Sequence, residues 1–156
     1  MSAPTIRPAR ADEYDAIADV WMRSWLSNGI ADPDGGESWP LAETRERIPT
    51  EIANGWSLYV ADDAGTIAAM LAFRLRDGYL DQLFIAPEYQ SKGLGKRLLA
   101  FTRKHLPDEI WLRCVRENEK AWRWYEREGF VFEMEQIEPM NGLMMKYYRW
   151  KKEGPR

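Results

Sequence analysis

In Tyr79-Leu80-Asp81-Gln82-Leu83-Phe84-Ile85-Ala86-Pro87-Glu88-Tyr89-Gln90-Ser91-Lys92-Gly93-Leu94-Gly95-Lys96-Arg97-Leu98-Leu99, a strand-like run passes into a short loop with two glycines and two lysines. An amphipathic helix starts at once. A helix N-terminus presents backbone N–H groups without partners and a partial positive charge. Glycines just before it let a ligand approach the backbone closely. Together these features describe a cradle for a pyrophosphate.

Outward from this stretch, the chain alternates strands and helices. Thr5 to Ala9 reads as a first strand and Asp12 to Leu26 as a helix. Acids Asp12, Glu13 and Asp15 crowd the start of that helix, and Tyr14, Ile17, Trp21 and Trp25 recur at three- and four-residue spacing. Gly29 to Pro40 is a loop. Leu41 to Asn54 has a helical pattern, but Pro49 predicts a kink or a division in two. Trp56 to Ala61 and Thr66 to Leu75 form a hairpin about Asp63-Ala64-Gly65, and Asp77-Gly78 turns the chain into the strand Tyr79 to Ile85. After the helix Gly93 to His105 comes the strand Glu109 to Val115. A helical crossover makes that strand parallel to the earlier one. Asn118 to Glu128 is a helix ended by Gly129. Phe130 to Ile137 and Leu143 to Trp150 close the fold around Asn141-Gly142, and 151–156 is a polar tail. The expected architecture is one α/β domain over 1–150, with a mixed sheet containing hairpins and one βαβ unit.

Bulk properties exclude several classes. With 156 residues the chain is most simply one domain, and with 45% apolar and 30% charged residues it has an ordinary soluble composition. No apolar run reaches a membrane span, and the N-terminus has no signal-peptide core. A single cysteine, Cys114, cannot build an internal disulfide framework. A cytoplasmic location is the expectation. Net charge is −3, which argues against nucleic acid as the main partner. With one histidine and one cysteine no metal site is expected. The eight tryptophans read as core and pocket wall.

Two familiar nucleotide motifs fail at this loop. A P-loop needs a glycine five residues before Gly95 and Ser or Thr after the lysine, but Gln90 and Arg97 stand there. A Rossmann fingerprint needs a third glycine where Leu98 stands, in the chain's first βα turn. What remains is Gln90-x-x-Gly93-x-Gly95. With Ile85 and Pro87 before it, this resembles the acyl-CoA-binding motif of the GNAT superfamily of N-acyltransferases. A second motif of that family follows as Asn118, Ala121, Trp124-Tyr125 and Gly129-Phe130. The order of elements also fits, so the resemblance covers nearly the whole chain. It implies a GNAT-like α/β fold: a mixed, mostly antiparallel sheet of about seven strands with about four helices, its parallel βαβ unit splayed to hold coenzyme A.

The resemblance also implies roles. Acetyl-CoA would be the acetyl donor, and a primary amine of unknown identity the acceptor. Gln90, Ser91, Lys92, Gly93, Leu94, Gly95 and Lys96 would hold its pyrophosphate, with Arg97 adding charge nearby. Backbone groups of Leu83, Phe84 and Ile85 would pair with the pantetheine arm as an added strand, and an N–H near Ile85 would polarise the thioester carbonyl. Asn118 would touch the pantetheine. Tyr125 would serve the leaving thiolate as a hydrogen-bond and proton donor. Asp81 is the candidate base. Strand alternation places it on the face of Leu83 and Ile85 unless a bulge intervenes. Some relatives that acetylate protein N-termini carry a Glu base on the next strand, but Arg113 stands there. A water relay is the other source of a base. Cys114 reads as an inert core thiol, and His105 as a cap for its helix. The acids Asp32, Asp34 and Glu37 would border the acceptor pocket and suit a cationic acceptor. Tyr147, Tyr148 and Trp150 read either as a homodimer face or as core. Two other functions fit the same residues: an idle acyl-CoA sensor, or an interaction domain with a filled cleft.

Overall fold

The computed structural model describes residues 3–29, 41–139 and 142–152. Most of the expected loop 29–40, with its three acids, lies outside them, as do Asn141 and the end of the tail. Among the described residues there are seven strands and four α-helices: β1 Thr5–Pro8, α1 Tyr14–Leu26, α2 Leu41–Ala53, β2 Trp56–Asp63, β3 Thr66–Arg74, β4 Tyr79–Ile85, α3 Leu94–His105, β5 Glu109–Val115, α4 Glu119–Arg127, β6 Val131–Ile137 and β7 Met144–Lys151. The sheet order is β1-β2-β3-β4-β5-β7-β6. Only β4 and β5 run parallel; every other neighbouring pair is antiparallel. This is the expected mixed, mostly antiparallel sheet. No helix among the described residues is long and apolar enough to cross a membrane.

Alternation along each strand divides the core into two layers. Trp56, Leu58 and Val60 of β2 join Ile17, Val20 and Trp21 of α1 and Ile48 of α2 on one face. Leu71 and Phe73 join Leu94, Leu98 and Leu99 of α3 on the other, with Trp124 and Tyr125 of α4 packed at its border. Central β3 is covered on both faces, and Ile67 through Phe73 are buried without a polar residue among them. Each large aliphatic side chain buried this way contributes about 1.5–3 kcal/mol.

Three local expectations need adjusting. Ala11–Glu13 forms a 3₁₀ turn, so α1 starts at Tyr14. Leu41–Ala53 is one helix, not two, with Pro49 inside it. Thr44 and Ile48 are buried on one of its faces and Ile52 packs beside them, while Pro49 is exposed. The anchored apolar face outweighs the backbone donor that proline removes. Third, β7 lies inside the sheet between β5 and β6, and Tyr148 is fully buried there. That aromatic belongs to the core. The outer strand is β6, exposed along its length with Val131, Phe132, Met134 and Ile137 at the surface.

The first strand is pinned by charge. Arg7 lies 2.5 Å from Glu13 and 3.1 Å from Asp62, tying β1 to the turn after it and to β2. The Arg7 guanidinium, helped by the Arg10 backbone N–H, holds the Glu13 carboxyl down at about 2. A carboxyl lower in the folded than in the unfolded chain stabilises fully above its ordinary pKa near 4.5, and that share is lost as pH falls toward 2. Glu13→Gln should therefore melt below the wild type at pH 7, and the gap should close between pH 4.5 and 2, as read by thermal unfolding across that range.

Candidate active site

The site begins where the sheet opens. β4 and β5 are in register only at Tyr79↔Trp111, where the Trp111 N–H donates to Gly78 O at 3.0 Å. The Tyr79 and Trp111 rings stack there, 4.0 Å apart. Beyond this point the two strands part. β4 keeps its bonds to β3, so the β5-facing backbone edge of Leu83, Phe84 and Ile85 carries no strand partner.

A bulge then re-aims the acid. Gln82 lies opposite Ala72 and Leu80 opposite Phe73, which leaves Asp81 as the extra residue. The expected alternation fails here. Leu80 takes the α3 face with Leu83 and Ile85, and Asp81 turns to the α1 face beside Gln82. Its carboxylate accepts one hydrogen bond on each oxygen, from Trp56 Nε1 at 2.8 Å and from Gln82 Nε2 at 2.9 Å.

The cradle is built as its glycines require. Ser91 and Gly93 have φ of 63° and 84°. Left-handed positions of this kind gather backbone N–H groups into an anion-binding concavity. The first helical bond of α3 runs from Arg97 N–H to Gly93 O, so the N–H groups of Leu94, Gly95 and Lys96 precede it without an intrahelical partner. Gln90 braces the loop, donating from Nε2 to Ile85 O at 3.0 Å. Gly95 serves packing. A Cβ there would meet the Trp124 ring at 3.3 Å and Ile85 Cδ1 at 3.4 Å.

Two clefts meet across the opening. One, of about 470 Å³, lies between β4, the glycine loop and α4. Leu83, Phe84, Ile85, Gln90, Ser91, Gly93, Gly95, Lys96 and Asn118 all line it. The other, of about 560 Å³, lies between α1, α2 and the parted strands and contains Asp81. Leu83, Phe84, Asn118, Ala121 and Tyr125 belong to both. Tyr125 thus stands at the junction, held edge-on to Phe130 and tilted against Trp124. Burial pushes its phenol well above the ordinary value of 10, so it stays protonated at neutral pH.

Other expected residues lie elsewhere. Leu94 gives the cradle its amide while its side chain is buried in the core, and the exposed Lys92 ammonium stands 5.9 Å from the Tyr89 ring centroid. Arg97 donates to Pro4 O at 2.7 Å, away from the cradle. Arg113 offers no base; it donates to Tyr79 Oη at 3.1 Å and is ion-paired with Glu138. Burial raises Cys114 to about 12, an unreactive thiol. His105 contacts Phe101 O at 3.0 Å within the last turn of α3. Lys120 and Arg127 line the first cleft and Arg47 and Glu51 the second, none of them singled out from sequence. Lys120, Trp124 and Arg127 do share a helix face by their spacing, the one signal that could have found the pair.

A mixed sheet opened between two parallel strands, with a glycine-edged helix start at the gap, frames the candidate site. The chain matches the family model for the acetyltransferase (GNAT) family over residues 14–130 and belongs to that family. It is 30% identical over 139 residues to a Mycobacterium tuberculosis protein named "Probable N-acetyltransferase", covering 80% of this chain and 78% of that one. It is 24% identical over 127 residues to the peptidyl-lysine N-acetyltransferase YiaC of Escherichia coli, covering 80% and 82%. The PaiA N-acetyltransferase of Thermoplasma acidophilum, solved with coenzyme A, shares the fold with a TM-score of 0.77 at 23% identity, covering 97% of this chain and 99% of that one. The chain is therefore a GNAT-type acyltransferase.

Gly95→Val should cost about 1–3 kcal/mol of stability, because branched carbons would press on Trp124 and Ile85, as a urea titration would read.

Proposed function

We propose that this protein transfers an acetyl group from acetyl-CoA to a primary amine by direct attack within a ternary complex. The observation that carries this reading is the meeting of two clefts at Tyr125, across the gap between β4 and β5. One cleft has the N–H cradle and cations suited to a pyrophosphate. The other has a carboxylate suited to an ammonium. The free edge of β4 gives a pantetheine amide chain a strand to pair with. YiaC, named for peptidyl-lysine, is a relative whose acceptor is an amine.

In this reading the amides at Ser91 to Lys96 hold the pyrophosphate, with Lys96, Lys120 and Arg127 supplying charge. Gln90 acts by bracing the loop. Asn118, whose side chain makes no hydrogen bond to any described residue, meets the pantetheine. An amine arrives protonated at neutral pH. Asp81, directly or through a water, takes the proton that frees the nitrogen lone pair; both its oxygens retain room for a further hydrogen bond. The nitrogen then bonds to the thioester carbon, and the carbon–sulfur bond breaks. Tyr125 has no hydrogen-bond partner among the described residues, so its O–H is available to the departing sulfur. A phenol above 10 is a weaker acid than a thiol near 8.5. Its first contribution is thus a hydrogen bond to developing thiolate charge, and the proton that ends on sulfur is replaced by one shed from the amine nitrogen.

Calorimetric titration with acetyl-CoA, with NAD and ATP as controls, tests the donor. One-site binding of acetyl-CoA alone is expected, and Gly93→Asp should weaken it by about 100-fold or more through repulsion of the phosphates. Tyr125→Phe should lower kcat for thiol release by about 100-fold while binding of acetyl-CoA persists. Binding without thiol release for any amine would favour the sensor; no binding would favour the interaction domain.

A further inference from the structure

The second cleft carries five charged side chains: Arg47, Glu51, Asp81, Arg113 and Glu138. Arg113 and Glu138 neutralise each other. Asp81 receives only uncharged N–H donors, from Trp56 and Gln82. Arg47 has no carboxylate partner among the described residues, and Glu51 no cation. Arg47 instead lies over the Trp21 ring, its Cζ 4.9 Å from the ring centroid. Trp21 in turn lies 5.8 Å from Trp56, which holds Asp81. Asp81, Trp56, Trp21 and Arg47 thus form one run of contacts, with Asp81, Trp21 and Arg47 lining the cleft and Trp56 buried behind them.

This arrangement is selective. The Arg47 guanidinium makes no hydrogen bond or ion pair to a described residue, so its N–H groups stay free for a planar anion while its cation lies against the indole. An unpaired cation beside the path of a cationic substrate is unfavourable unless the substrate brings an anion of its own. A simple diamine or polyamine brings none.

Resting on the transferase reading above, we propose that the acceptor is an amino acid, its reacting amine received at Asp81 and its carboxylate at Arg47. Glu51 leaves a place for a second ammonium, as in lysine or ornithine. The step itself is unchanged: a nitrogen–carbon bond forms, the thioester carbon–sulfur bond breaks, and one amine proton is released as the thiol takes one up. Arg47 is a specificity residue and touches no reacting atom.

The test uses pairs that differ by one carboxylate, lysine against cadaverine and ornithine against putrescine, with acetyl-CoA and thiol release as the readout. The wild type is expected to favour the amino acid in kcat/KM. Arg47→Gln should lower the ratio of amino acid to diamine by about tenfold, and Arg47→Lys should restore part of it. A wild type that prefers the diamines, a ratio that Arg47→Gln does not move, or turnover of neither member of either pair would overturn the proposal. An unmoved ratio would mean that the guanidinium only roofs Trp21. Acetyl-CoA titration of the same samples separates the two readings: bound donor with diamine turnover leaves the transferase standing while the amino-acid assignment falls.

Discussion

The parting of β4 from β5 is the constraint on which the rest of the molecule turns. A parallel pair that is bonded at one position and open beyond it leaves a row of backbone groups facing a gap. Buried backbone groups without partners are costly, so such a gap persists only where its walls are otherwise supported. Here β3 holds β4 from the other side, the Tyr79–Trp111 stack closes the near end, and β7 pairs with β5 along its whole length. The opening is therefore a rigid feature of a well-paired sheet, and both clefts descend from it.

Charge in the site follows from the same frame. The loop end of the gap receives the start of α3, with its unpaired amides and the nearby Lys96. The α1 side receives Asp81, turned there by one extra residue in β4. The helix start and the carboxylate thus lie on opposite faces of the sheet, and Tyr125 on α4 lines both clefts. Trp124 of α4 packs close against Gly95 of α3, which sets the helix of the tyrosine beside the cradle.

Sequence reading reached the cradle because everything in it is local. Two glycines, a helix start and the run of residues before them lie within one short stretch, and the second motif sits on a single helix. Element order and the parallel crossover were legible for similar reasons, through periodicity and turn residues. The facing of Asp81 was not. Alternation is a rule for regular strands, and only the pairing of Ala72 with Gln82 and Phe73 with Leu80 reveals the added residue. The second cleft was still less accessible, since Arg47, Trp21, Asp81 and Arg113 come from four separate elements and meet only through packing. Lys92 and Arg97 show what a local reading leaves out. Their place in the loop suggested the phosphate, and sequence carried no sign of the Tyr89 ring near Lys92 or of the Pro4 carbonyl that Arg97 reaches.

The two clefts share only Leu83, Phe84, Asn118, Ala121 and Tyr125 among their lining residues. In the transferase reading proposed above, the thiol product would withdraw along the α3–α4 side and the acetylated product past α1 and α2, so neither would back out through the space of the other.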